Sequence, residues 1–380
     1  MTPERSIYLS RARRIVIKIG SSLLTGDKKH GVKNSFLARL AGQINILKSR
    51  GVQCLIVTSG AISAGMFELG LKKRPEEMSE LQALAAVGQS NLMHAYKKNF
   101  DRYKIKVAQV LLTREDLSQR HRYANAHRTL MKLFQHGIVP VVNENDTVAV
   151  EEIKFGNNDT LGVLVTHLAE ADLLIILTDT DGFFSEDPRL NPKAKLISNV
   201  FQFDHGFEKM ATRSNSIIGT GGMKSKILAA KNMMRSGVPM LIANGTAHNA
   251  LRRLLDSEPI GTFFFPTAKK MKSRKRWLAW GGIPKGEIFI DDGAQKALLE
   301  KNKSLLPTGV RKTVGSWHAG EMVKIVGSNH REIANGICNF SATELNQIMG
   351  LKTSDLFDRI GRETSGEVVH RDNMVKIEID

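Results

Sequence analysis

The run Leu173-Leu174-Ile175-Ile176-Leu177, entered from Ala171-Asp172 and left through Thr178-Asp179, is apolar at every position. A strand that is apolar on both faces must be covered on both, as parallel strands are when helices pack above and below them. The run falls far short of the ~18 apolar residues that a membrane span needs, and no window in the chain reaches that length. Similar short runs lie at Arg14–Ile19, Gln53–Thr58, Val107–Leu112, Ile138–Val142 and Pro239–Ala243. Between them Phe36–Arg50, Glu80–Asn99, Ala124–Gln135 and Met223–Ser236 space apolar residues three and four apart, as helices do. This alternation predicts an α/β fold with a mainly parallel, doubly wound sheet. Its ligands are expected at the carboxyl ends of the strands, in the strand-to-helix loops.

The character changes after residue 276. Glu287–Ile290, Met322–Val326, Ile333–Asn339 and Asn373–Ile379 follow one another as short strands, with one short helix near Gly293–Glu300, which predicts a small, mostly β domain. At 380 residues the chain is too long for one ordinary core, and the expected division is 1–266, a linker over 267–276, and 277–380. The linker, Lys269-Lys270-Met271-Lys272-Ser273-Arg274-Lys275-Arg276, holds six basic residues in eight. It is expected to stay solvated because such charges repel, a phosphate-binding strip being the alternative. The net charge of +17 belongs wholly to the first part: 277–380 carries 13 Lys and Arg against 14 Asp and Glu, the remainder 42 against 24. The N-terminus is basic, but Ile15-Val16-Ile17 is stopped by Lys18 before it could form a signal-peptide core, so a cytoplasmic location is expected. Cys54 and Cys338 are too few for a disulfide framework or a zinc site, and both are expected as buried, reduced thiols.

Six loops could carry chemistry. Lys18-Ile19-Gly20-Ser21-Ser22 ends the first strand; a lysine within an apolar strand suits a phosphate partner beside exposed backbone N–H groups, or snorkels to solvent. Thr58-Ser59-Gly60-Ala61 opens a helix with small residues, which serves an anionic ligand or only tight packing. Asn143-Glu144-Asn145-Asp146-Thr147 and Phe155-Gly156-Asn157-Asn158-Asp159 gather short amide and carboxylate side chains, the acceptors that an ammonium group requires. Thr178-Asp179 places a carboxylate at a strand mouth, where it can meet a nucleotide or simply shape a turn. Gly219-Thr220-Gly221-Gly222-Met223-Lys224-Ser225-Lys226 runs into a helix. Lysines in a first turn oppose the helix dipole and so call for an anion. The loop matches neither the Walker A pattern nor the dinucleotide glycine pattern.

As a set, these motifs resemble the glutamate 5-kinase family of the amino acid kinase superfamily. Ser304-Leu305-Leu306-Pro307 and Val369-His370-Arg371-Asp372 resemble that family's C-terminal PUA domain. The resemblance implies ATP-dependent phosphorylation of the γ-carboxylate of L-glutamate to L-glutamyl 5-phosphate, the first step of proline biosynthesis. It implies that Lys18 and Lys226 contact the transferring phosphoryl group and that Asp159 holds the two lysines. Ser59, Asp146 and Asn158 would bind glutamate. Lys18, Thr178, Asp179, Thr220, Gly221, Gly222, Met223, Lys224, Ser225 and Lys226 would bind ATP, which brings its own Mg2+; no protein-held metal is implied. Proline as a feedback inhibitor, glutamate-5-semialdehyde dehydrogenase as recipient of the product, and a homo-oligomer follow from the same resemblance, with no membrane partner.

The chain departs from the family at Asn157, where the usual pattern is Gly-Asp-Asn-Asp; the missing carboxylate bears on glutamate affinity. Ser225, where Thr is common, keeps the hydroxyl. One rival is an amino acid kinase acting on acetylglutamate, aspartate or UMP, which the C-terminal domain and the two amide-rich loops disfavour. The other is an RNA-binding PUA protein with a scaffold in front of it. The phosphate loops and the charge of the 277–380 segment stand against that, so RNA is not expected as a partner.

Overall fold

In the computed structural model the described residues are 3–26, 31–149, 158–186, 188, 190–203, 222–271, 273–361 and 364–377. The chain forms two compact units, with the boundary between Lys270 and Met271, inside the basic run. The first is built on the strands β1 (Arg14–Ile19), β2 (Gln53–Val57), β3 (Val107–Leu112), β4 (Val139–Glu144), β5 (Leu173–Thr178), β6 (Asn199–Val200), β7 (Met240–Asn244) and β8 (Thr262–Phe264). Their order across one sheet is β3-β4-β2-β1-β5-β7-β8-β6. Every pairing is parallel except β7 with β8, so the α/β expectation holds and the antiparallel turn is confined to one edge.

The central strands are apolar on both faces because both are covered: β5 is buried along its whole length and β1 from Ile15 onward. The chain fills the sheet outward from β1 on one side through β2, then restarts on the other side at β5. This reversal opens a crevice at the carboxyl ends of β1 and β5. The principal helices of this unit are α1 (Pro3–Arg11), α2 (Asn34–Ser49), α3 (Ala61–Glu68), α4 (Met78–Asp101), α5 (Arg120–Gln135), α6 (Asn158–Leu168) and α7 (Met223–Arg235). Two glycines set the distance between α3 and α4. A Cβ on Gly65 would lie 1.9 Å from the Leu84 carbonyl oxygen, and one on Gly88 1.9 Å from that of Ala61, so only glycine lets these backbones meet.

The second unit has its own sheet of Gly286–Ile290, Val310–Gly315, Met322–Val326, Glu332–Ile337 and Met374–Lys376, and its own apolar core around Ile288, Val323, Ile325 and Leu345. Within the basic run expected to be a solvated linker, Lys270 pairs with Asp172 at 2.7 Å, and Ser273–Arg276 is helical with Arg276 buried. Cys54 and Cys338 are buried free thiols, as expected; burial pushes them up to about 12 and about 11. No helix among the described residues is long and apolar enough to cross a membrane.

Candidate active site

Lys18 sits near the end of β1, between Val57 of β2 and Ile176 of β5, and is 4% exposed. Its aliphatic stem lies against α6 at Gly162. Its ammonium does not snorkel to water: Nζ lies 2.7 Å from Oδ1 of Asp159, which is fully buried in the first turn of α6. Lys226, in the first turn of α7 and also buried, places Nζ 3.3 Å from Oδ2 of the same carboxylate. The Ser225 hydroxyl donates to that oxygen at 2.7 Å.

The anion that the lysines of α7 call for is therefore in part the protein's own. Asp159 also suits the start of α6, where a negative charge meets the positive end of the helix dipole. Burial pushes the Asp159 carboxyl upward, but Lys18, Lys226 and the Ser225 hydroxyl outweigh burial and hold it below the usual carboxylate range. Burial pulls Lys18 below the usual lysine range, Lys226 adds to this, and Asp159 opposes it. Within this trio two ammonium groups meet one carboxylate, a positive balance in a buried setting that suits an anion.

Beside this group lies a hydrogen-bonded chain of amides. Asn158, the first residue of α6, directs Nδ2 at the Thr58 carbonyl (2.6 Å), Ser59 Oγ (3.0 Å) and Asn143 Oδ1 (3.2 Å). Asn143 Nδ2 in turn donates to Gln89 Oε1 of α4 at 2.9 Å. The Thr58 hydroxyl is 2.9 Å from that of Tyr96, about two turns further along the same helix. Gly60, at φ 96°, makes the sharp exit from β2 that sets Ser59 at the mouth of the strand.

The structure corrects the sequence reading here. Asn143 and Glu144 were expected in a loop after Val142, yet β4 continues through both, in register with Leu111 and Leu112 of β3, and both are buried. Asp146 lies in the turn just beyond, half-buried. Gln89 and Tyr96 carry no sequence motif. The available signal was a polar Gln within the buried stripe Leu81, Leu84, Ala85, Gly88 and Leu92 of α4.

On the β5 side Thr178 is buried and donates to Asp179 Oδ1 at 3.1 Å, and its carbonyl accepts from the Gly245 N–H at 2.8 Å. Asp179 is exposed at the strand mouth. Gly222 is the N-cap of α7, extended and without a capping side chain, so it leaves backbone N–H groups of the first turn to a ligand. Met223 is half-buried and Lys224 exposed. Thr220, Gly221 and Asn157 lie outside the described residues.

The model of the amino acid kinase family matches residues 13–244, and that of the PUA domain residues 286–358. Glutamate 5-kinase of Geobacter metallireducens is 46% identical over 371 residues, spanning 98% of this chain and 99% of its own length. That of Caldanaerobacter subterraneus is 48% identical, spanning 96% and 98%. The chain belongs to the glutamate 5-kinase family. Within this glutamate 5-kinase fold six of the candidate residues fall into two linked groups: Lys18, Asp159, Ser225 and Lys226 around one carboxylate, and Ser59 and Asn158 on the amide chain. Adjacent positions at the start of α6 join them, Asn158 serving one group and Asp159 the other. The RNA-binding alternative gains no support, since relatives such as these match along both domains under the kinase name.

Proposed function

We propose that this chain transfers the γ-phosphoryl group of ATP to the γ-carboxylate of L-glutamate, giving L-glutamyl 5-phosphate for proline biosynthesis, with Lys18 and Lys226 as the catalytic cations. The observation that carries this is the bridging of both ammonium groups by Asp159, at 2.7 and 3.3 Å. A γ-carboxylate is ionised at pH 7, so the attacking oxygen needs no general base. Catalysis then consists of alignment and neutralisation of charge on the phosphoryl oxygens. Asp159 is a poor proton acceptor, because its carboxyl is held below the usual range, and it acts by fixing the lysines. The positive charge left over by the trio falls where a phosphoryl group can complete it.

Ser59, Asn158 and Asp146 are assigned to glutamate: the amide oxygen and the carboxylate suit its ammonium, the hydroxyl its carboxylate. Thr178, Asp179 and the Thr220–Lys226 loop are assigned to ATP, the loop through backbone N–H groups at the start of α7. Magnesium would enter on the nucleotide's phosphates and supply further charge neutralisation there; Asp159, already engaged by two lysines and a hydroxyl, fits the role of organiser better than that of metal ligand. Inhibition by proline, transfer of the product to a glutamate-5-semialdehyde dehydrogenase, a homo-oligomeric state and a cytoplasmic location belong to the same reading through the family.

The test offers L-glutamate, N-acetylglutamate, L-aspartate and UMP with ATP and magnesium, measuring ADP release and trapping acyl phosphate with hydroxylamine. Hydroxamate from glutamate, with the other acceptors slow, is the expected result. Turnover of another acceptor without hydroxamate from glutamate would overturn the assignment.

A further inference from the structure

We infer that Gln89 is a positioning residue for the amino-acid substrate: through Asn143 it fixes which way the Asn158 amide faces. The polarity of the chain can be assigned from one end. The Thr58 backbone oxygen can only accept, so the Asn158 atom 2.6 Å from it is the NH2 group. The atom of Asn143 that meets this NH2 at 3.2 Å must then be its oxygen, which turns the Asn143 NH2 toward Gln89. Gln89 must answer with its own oxygen, as it does at 2.9 Å. Flipping Asn143 would set N–H against N–H at one contact and O against O at the other, so the three amides hold a single arrangement.

Two consequences reach the substrate. With its NH2 turned inward, Asn158 has only the acceptor Oδ1 to offer an ammonium group. Ser59 Oγ, having accepted from Asn158 at 3.0 Å, keeps its O–H to donate to a carboxylate oxygen. Gln89 is 9% exposed and stands next to Gly88, whose missing side chain lets α4 close on the start of α3, so the helix backbone delivers the Gln89 amide to β4. This inference rests on the reading that Asn158 binds the amino acid, and Asn158→Ala is measured in parallel for that reason.

Gln89→Met removes the acceptor at nearly constant volume, whereas Gln89→Glu keeps an oxygen at the same place. For Gln89→Met the glutamate KM is expected to rise about fivefold, the effect of losing one buried hydrogen bond, with kcat and the ATP KM changed by less than about twofold. Gln89→Glu should stay within about twofold of wild type in all three. An unchanged glutamate KM in folded Gln89→Met, or an equal rise in the ATP KM, overturns the positioning role. If Gln89→Met does not fold, Gln89→Glu decides alone: a fivefold loss of glutamate affinity despite the retained oxygen contradicts the role, and retained affinity supports it. A raised glutamate KM in Asn158→Ala alone leaves the site reading intact and removes only Gln89. An unchanged KM in Asn158→Ala removes the site reading itself.

Discussion

The Asp159 carboxylate lies 2.7 Å from the Lys18 ammonium with both side chains out of solvent, which joins the first turn of α6 to the end of β1 at the point where the strand order reverses. Lys226 approaches the other oxygen of Asp159 from α7, so one buried carboxylate holds two cations drawn from a strand and a second helix.

Removing that carboxylate should expose the cost of the two lysines. Asp159→Asn is expected to lose about 3–5 kcal/mol at pH 7, since it strands buried charge, together with most activity. Lys18 is already held below the usual lysine range, and the variant takes away the partner that opposes this. A base whose folded pKa lies below its unfolded value gains stability as pH rises from the first toward the second. The variant's denaturant midpoint should therefore climb between pH 7 and about 10, relative to wild type. In wild type the lowered Asp159 pKa contributes stability that is present above about pH 4 and lost as pH falls through its folded value. Parallel pH dependence of the two proteins would refute this.

Gly88→Ala should lower stability by about 3 kcal/mol or more, because the new methyl would lie 1.9 Å from the Ala61 oxygen and 2.3 Å from the Gly65 nitrogen, both backbone atoms. Thermal melting checks this. A midpoint within a degree or two of wild type would mean that α3 and α4 can separate without cost.

At Asn157, restoring the family's carboxylate adds an acceptor for the substrate ammonium. Asn157→Asp should lower the glutamate KM about tenfold and the ATP KM much less, as a charge-assisted hydrogen bond would. Equal glutamate KM values for the two proteins would remove position 157 from the substrate.

For the second unit, the segment 277–380 should bind RNA no better than roughly 10⁻⁴ M at physiological salt. Its charge is nearly balanced, Arg311 and Lys324 are tied to Asp291, Glu287 and Glu332, and the cavity of about 730 Å³ lined by Lys303, His370 and Arg371 also carries Asp291 and Glu367. Titration with a tRNA mixture at several salt concentrations measures it. Micromolar binding that survives ~150 mM salt would contradict the expectation.

Six of the eight described strands of the first sheet were legible to within a residue or two because burial on both faces demands unbroken apolar runs, and β5 satisfies that demand at every position; β6 and β8, of two and three residues, are too short to show such a run and were not expected. The same logic misplaced the end of β4. Asn143 and Glu144 are polar, and a polar residue that completes a buried strand looks, in sequence, like the first residue of a loop. Lys18, Asp159 and Lys226 could be picked out, but their meeting could not be read from spacing, since it depends on where the strand order reverses. Gln89 stayed hidden for a different reason. A single amide on a long amphipathic helix is ordinary until the Gly88 contact shows how closely that helix approaches α3.

The most direct test of the account is kcat for hydroxamate formation by Lys18→Ala and Lys226→Ala, each measured at saturating glutamate and ATP on protein shown to be folded. If the two ammonium groups held by Asp159 stabilise charge that develops during transfer, each variant should lose about 10²-fold or more in kcat, the scale of removing a charged donor from a closed site. A kcat near wild type in either variant, with thermal stability unchanged, would contradict the assignment of that lysine.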